Sequence, residues 1–141
     1  MSNLRKDTKY IVIHSSDTHP EQNIQVKDLE VQHRKEGLFS CAFHKVITRD
    51  GEVQDGRDIQ IAGAHIETTA ELSNKNSIGV CLIGGLTPEG QPDCNFTFKQ
   101  YESLVNLIDV LKANYKKVEV VGHRDVTSSK APHFNVKELL S

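Results

Sequence analysis

No apolar run in this 141-residue sequence approaches the roughly 20 residues that a membrane-spanning helix needs. A helical membrane protein is therefore excluded. The amino terminus, Met-Ser-Asn-Leu-Arg-Lys-Asp, lacks the apolar stretch of a secretory signal, so a cytoplasmic protein is expected. An excess of charge of one sign is also missing. Lys and Arg number 17 against 19 Asp and Glu, a net charge of −2, which carries no argument for nucleic acid or an anionic membrane as partner. Cysteine is scarce and odd in number: Cys41, Cys81 and Cys94. Free thiols in a reducing compartment are the natural reading, and Cys41 and Cys81, lying in apolar strand-like runs, are expected in the core. Repeats, linkers and low-complexity segments are absent. Residues 1–141 are therefore expected to form a single domain, and a monomer.

Strand and helix signals alternate along the chain. Tyr10–Ile13 is a short β-branched run, and Val26–Glu36 reads as a helix with Val26, Leu29 and His33 on one face and Gly37 as its stop. Cys41–Thr48 reads as a strand, and Arg49-Asp50-Gly51 as a tight turn into Glu52–Gln54. Ile59–Asn76 is loop-like. Ser77–Ile83 is the most apolar segment and predicts a central strand buried on both faces. Thr97 and Gln100 form a capping box. It opens a helix over 97–114, with Phe98, Tyr101, Leu104, Val105, Ile108 and Leu111 as its core stripe. Val118–Val121 predicts another strand, and Val136–Leu140 a short terminal helix. Together these give an α/β fold: a central mixed β-sheet flanked by helices.

Two histidines stand at strand ends. His14 follows Tyr10–Ile13, and His123 follows Val118–Gly122, at the carboxyl edge where α/β proteins place their chemistry. If the strands are neighbours, the two imidazoles meet and can share a metal. A histidine beside a strand end is more often a hydrogen-bonded loop residue, so the residues alone leave both readings open. His19 and His33 read as surface residues.

In order and spacing, the motifs resemble those of the zinc-dependent N-acetylmuramoyl-L-alanine amidases, which share the peptidoglycan-recognition-protein fold, and within them the T-odd phage lysozymes. The resemblance rests on Ile13-His14-Ser15-Ser16, Phe43-His44, Arg49-Asp50-Gly51, Gly56-Arg57-Asp58 and Gly63-Ala64-His65. It continues through Asn76-Ser77-Ile78-Gly79-Val80-Cys81-Leu82-Ile83-Gly84-Gly85 and Gly122-His123-Arg124-Asp125-Val126. It implies hydrolysis of the amide between N-acetylmuramic acid and L-alanine in peptidoglycan, with zinc as cofactor and His14 and His123 as ligands. The protein would then reach the cell wall after release from the cytoplasm, as phage endolysins do. It implies roles for His65 in binding or the transition state and for His44 near the substrate, although strand alternation turns His44 toward core or sheet.

Three positions depart from the family pattern. The third ligand, a Cys eight positions after the second histidine and directly before a proline, falls here on Ala131, followed by Pro132. His133 is the one nearby substitute. Phe43 stands where the family often has a catalytic tyrosine, and keeps the ring without the hydroxyl. The family's basic residue counts to Ser129, with Lys130 one step away and able to reach on its long stem. The rival implication is a non-catalytic peptidoglycan-binding protein on the same fold. Another is a regulator of an RNA polymerase, since T-odd phage lysozymes also inhibit their phage's polymerase.

Overall fold

The computed structural model describes residues 4–127 and 130–140. Its centre is a parallel pair, β1 (Tyr10–Ser15) and β4 (Ser77–Leu82). Every residue of β4 and all of β1 after Tyr10 are buried, as expected of parallel strands covered on both faces. β5 (Glu119–Gly122) runs parallel to β1 on one side. β2 (Lys45–Ile47) runs parallel to β4 on the other and pairs antiparallel with β3 (Val53–Asp55). The five-stranded sheet has the order β3-β2-β4-β1-β5.

Strand alternation sorts the side chains onto two faces. Ile11, Ile13, Ile78, Val80 and Leu82 pack with Leu104, Ile108 and Leu111 of helix α2 (Phe98–Asn114). On the other side Val12 meets Leu72 and Val121, while Cys81, Val46 and Cys41 pack with Leu29 of helix α1 (Val26–Lys35). The histidines of interest lie on this second side.

The helix signals act as the sequence indicates. Gly37 sits at φ 94°, and the N–H groups of Leu38 and Gly37 donate to the carbonyls of His33 and Arg34; this is a Schellman stop. Thr97 and Gln100 exchange the two capping-box hydrogen bonds at 3.1 and 3.0 Å. The stripe differs at its start: Phe98 is 79% exposed and Gln100 is fully buried. Gln100 Nε2 donates to the carbonyls of Ile47 and Ile83, so a polar side chain closes the upper end of the sheet while the first helical residue points outward.

Other expectations are corrected. The expected Cys41–Thr48 strand survives only as Lys45–Ile47. Carbonyls of Ala42, Phe43 and His44 accept from Ala64, Arg57 and Gly56 N–H groups, and the Arg57 guanidinium binds the carbonyls of Cys41 and Ala62. The carbonyls of the segment thus answer to the 56–64 loop, while the His44 N–H donates to the Gly79 carbonyl of β4. His33, expected at the surface, is buried, because its Nδ1 accepts the N–H of Ala42 at 3.0 Å. Cys41 and Cys81 are buried free thiols and Cys94 is exposed; burial pushes both buried thiols up in pKa and leaves them inert. Two short helices complete the chain, α3 (His123–Val126) and α4 (Val136–Leu139). No described helix is long and apolar enough to cross a membrane.

Candidate active site

Parallel register brings the two strand-end histidines together. Ile13 pairs with Gly122, so the next residues on the two strands, His14 and His123, become neighbours, with ring centroids 4.4 Å apart. His14 is still within β1, whereas His123 opens α3. That turn is set locally: the Asp125 carboxylate accepts the Gly122 N–H at 2.8 Å, and its charge suits a helix start. Phe43 lies on another side of His14, ring centroids 5.0 Å apart.

His65 comes from the 59–76 loop and reaches over the same sheet face. Its Nδ1 lies 2.9 Å from His14 Nε2 and its Nε2 lies 3.3 Å from Ser77 Oγ. Glycine makes the room. A Cβ on Gly79 would stand 2.7 Å from His65 Cγ, and one on Gly63 would stand 2.8 Å from His65 Cδ2. The loop is pinned in turn by Asn74 Oδ1, which accepts the N–H groups of His65 and Ile66. His65 is 7% exposed, which makes it the buried neighbour of His14 more than an open wall for ligand.

His44 lies deeper. Its Nε2 is 2.7 Å from the Ile61 carbonyl and its Nδ1 accepts the Gly79 N–H at 3.0 Å. With both nitrogens in hydrogen-bond reach of backbone and 1% exposure, His44 braces β4 behind His65. Burial dominates the electrostatics of the whole cluster. Desolvation lowers His65 to about 3 and His44 to about 4, and holds His14 well below the usual imidazole range, with His65 and His123 adding repulsion. His123, half-buried, is lowered less sharply because Asp17 and Glu67 favour its charged form.

The opposite wall is a loop. The Arg124 N–H donates to the Ala131 carbonyl at 2.7 Å, which ties buried Ala131 to the residue following His123. Lys130 is exposed and lines an open cavity of about 600 Å³ with Arg124, Asp125, His133 and the 92–94 loop. His133 does not join His14 and His123. It sits at φ 74° and pairs through Nε2 with Asp17 Oδ1 at 2.9 Å, Asp17 itself at φ 55°. Asp17 Oδ1 also accepts from Ser15 Oγ. Ser129, where the family's basic residue counts to, lies outside the described residues. Sequence reading missed Ser77, Gly79 and Asp17. Ser77 and Gly79 stood within a quoted motif, but nothing in it marked them as partners of His65.

A family model for N-acetylmuramoyl-L-alanine amidase matches residues 4–133. The chain belongs to the N-acetylmuramoyl-L-alanine amidase family. It is 38% identical over 133 residues to the endolysin of Escherichia phage T7 and 39% identical over 133 residues to that of Enterobacteria phage T3, covering in each case 94% of this chain and 85% of the relative. Among solved structures, an endolysin amidase from Clostridium intestinale matches with a TM-score of 0.76 at 23% identity, over 94% of this chain and 81% of the other.

Amidases of this family are generally zinc-dependent, so the donor set can be tested against zinc. A catalytic zinc takes three protein ligands and keeps one position open. His14 and His123 offer two imidazoles. Ala131 offers no lone pair on its side chain, and among the described residues no group of three His, Cys, Asp or Glu is arranged to hold a metal. The residues present do not make up the family's zinc centre.

Proposed function

We propose that this chain recognises the junction between N-acetylmuramic acid and L-alanine of peptidoglycan at the carboxyl edge of β1 and β5, and that it cleaves that amide weakly as it stands. Membership of the amidase family supports the substrate class. The single observation that carries the second half is the alanine at position 131, buried and fastened beside His123 by the Arg124 hydrogen bond. Two imidazoles without a thiolate or carboxylate hold zinc poorly, since the missing donor supplies both charge and a soft ligand atom.

The remaining side chains fit recognition of a partly apolar junction. Phe43 keeps a ring against His14 and offers neither proton nor hydrogen bond. Where a hydroxyl stabilises a developing oxyanion, its loss costs about 10²–10³ in rate. Lys130 and Arg124 supply positive charge beside the cleft. Binding without any hydrolysis is the second reading, and Phe43 together with Ala131 favours it.

The test is Ala131→Cys. Zinc retained after dialysis and cleavage of a purified muropeptide are measured for the parent and the variant. The variant is expected to retain near-stoichiometric zinc, to cleave faster, and to unfold at a higher temperature in zinc, because metal bound only by the native state adds to stability. Tight zinc in the parent, removed by His133→Ala, would mean that His133 is a ligand and that position 131 has been misjudged. Full zinc in the variant without cleavage would favour the binding protein.

A further inference from the structure

The hydrogen bonds around His65 fix where its proton sits. Ser77 Oγ lies 2.6 Å from the Ser73 carbonyl, and a carbonyl only accepts, so the single hydroxyl proton of Ser77 points there. The same oxygen must then accept from its other neighbour, which places a proton on His65 Nε2, 3.3 Å away. A neutral His65 carries one proton, so its Nδ1 is bare. That nitrogen lies 2.9 Å from His14 Nε2, and a hydrogen bond there requires the proton to be on His14. His14 is left with an unprotonated Nδ1, with the ring of His123 as neighbour. All three side chains are buried, at 0% for Ser77, 3% for His14 and 7% for His65, so water does not compete for these protons.

We propose that Ser77 is a positioning residue which, through His65, fixes the proton of His14 on Nε2 and reserves the Nδ1 lone pair of His14 for the cleft. The chain Ser73 carbonyl, Ser77, His65, His14 runs in one direction, each group donating to the previous one. Gly79 and Gly63 are the clearances that let His65 lie in it. A histidine presented with one nitrogen anchored by a neighbour and the other bare is what a metal or a proton on a bound ligand needs. The inference concerns proton position in the metal-free protein and stands whether or not the chain hydrolyses muropeptide.

The experiment is nitrogen-15 NMR of the histidine rings in chelator-treated protein near neutral pH, on the parent, Ser77→Ala and Ser77→Thr. In the parent, His14 is expected as the Nε2–H tautomer, its two ring nitrogens widely separated in shift, with a scalar coupling across the His14–His65 hydrogen bond. In Ser77→Ala the buried His65 Nε2–H loses the hydroxyl and keeps only the backbone of residue 77 as acceptor, so the His65 Nδ1–H form, donating to His14, becomes populated. The His14 nitrogens should then exchange order or move toward a common average. Ser77→Thr keeps a hydroxyl and should restore the parent pattern. An Nδ1–H tautomer for His14 in the parent overturns the proposal, as does a folded Ser77→Ala with an unchanged His14. Should Ser77→Ala fail to fold, the parent tautomer and the coupling decide it alone.

Discussion

The two walls of the candidate cleft are built by different physics. On the sheet side, His14, His65, His44 and Ser77 are buried, and the nitrogens of His65 and His44 and the Ser77 hydroxyl all have hydrogen-bond partners. On the loop side, Arg124 and Lys130 are exposed beside an open cavity, while Ala131 is buried. The sheet side is over-determined: strand register, two glycine clearances and a directed hydrogen-bond chain all specify the same arrangement. A change on the sheet side therefore disturbs the core. On the loop side, the Arg124–Ala131 backbone bond and the Asp17–His133 pair are among the contacts of the described residues.

Acid should separate the two walls most strongly. His14, His44 and His65 all have folded pKa values below the ordinary 6.5. Above that value both folded and unfolded chains are neutral at these sites and pH has no effect through them. Below it the unfolded chain binds protons that the folded one refuses, so stability falls as pH falls. At about pH 5 His44 and His65 should each cost roughly 2 kcal/mol relative to about pH 7.5, with His14 acting in the same direction. Urea midpoints at the two pH values measure this, and equal midpoints would refute a neutral buried cluster.

Gly79→Ala tests the clearance on the sheet side. The new methyl would lie 2.7 Å from the His65 ring, inside van der Waals contact, with β4 fully buried and unable to give way. A loss of about 3 kcal/mol is expected by denaturant unfolding, with His65 displaced from His14. Unchanged stability would place His65 elsewhere. The smallest effect belongs to the loop side: Lys130→Ala should change stability by no more than about 0.5 kcal/mol. A larger loss would make the loop as tightly specified as the sheet, and the contrast would fail.

Much of this molecule can be read directly from residue order. Tyr10–Ile13 and Ser77–Ile83 announce buried strands by unbroken apolar character, and they become β1 and β4. Thr97 and Gln100 announce the start of α2, and Gly37 the end of α1, because caps are contacts between residues a few positions apart. Motif order was enough to indicate the amidase family and to single out His14 and His123. The sequence by itself therefore determined the two central strands, the two long helices with their caps, and the alanine at position 131.

Tertiary structure alone decided who meets whom. His14 and His65 are 51 residues apart, and Asp17 and His133 are 116 apart; no periodicity encodes such pairs. The Cys41–His44 segment has strand-forming character, yet its carbonyls go to the 56–64 loop. His44 and His65 are alike as sequence, and only depth separates them: one has both nitrogens closed by backbone, the other touches His14. Local signals act through neighbouring backbone and survive in the sequence, whereas burial, proton position and ligand count depend on surfaces that exist only after the sheet has assembled.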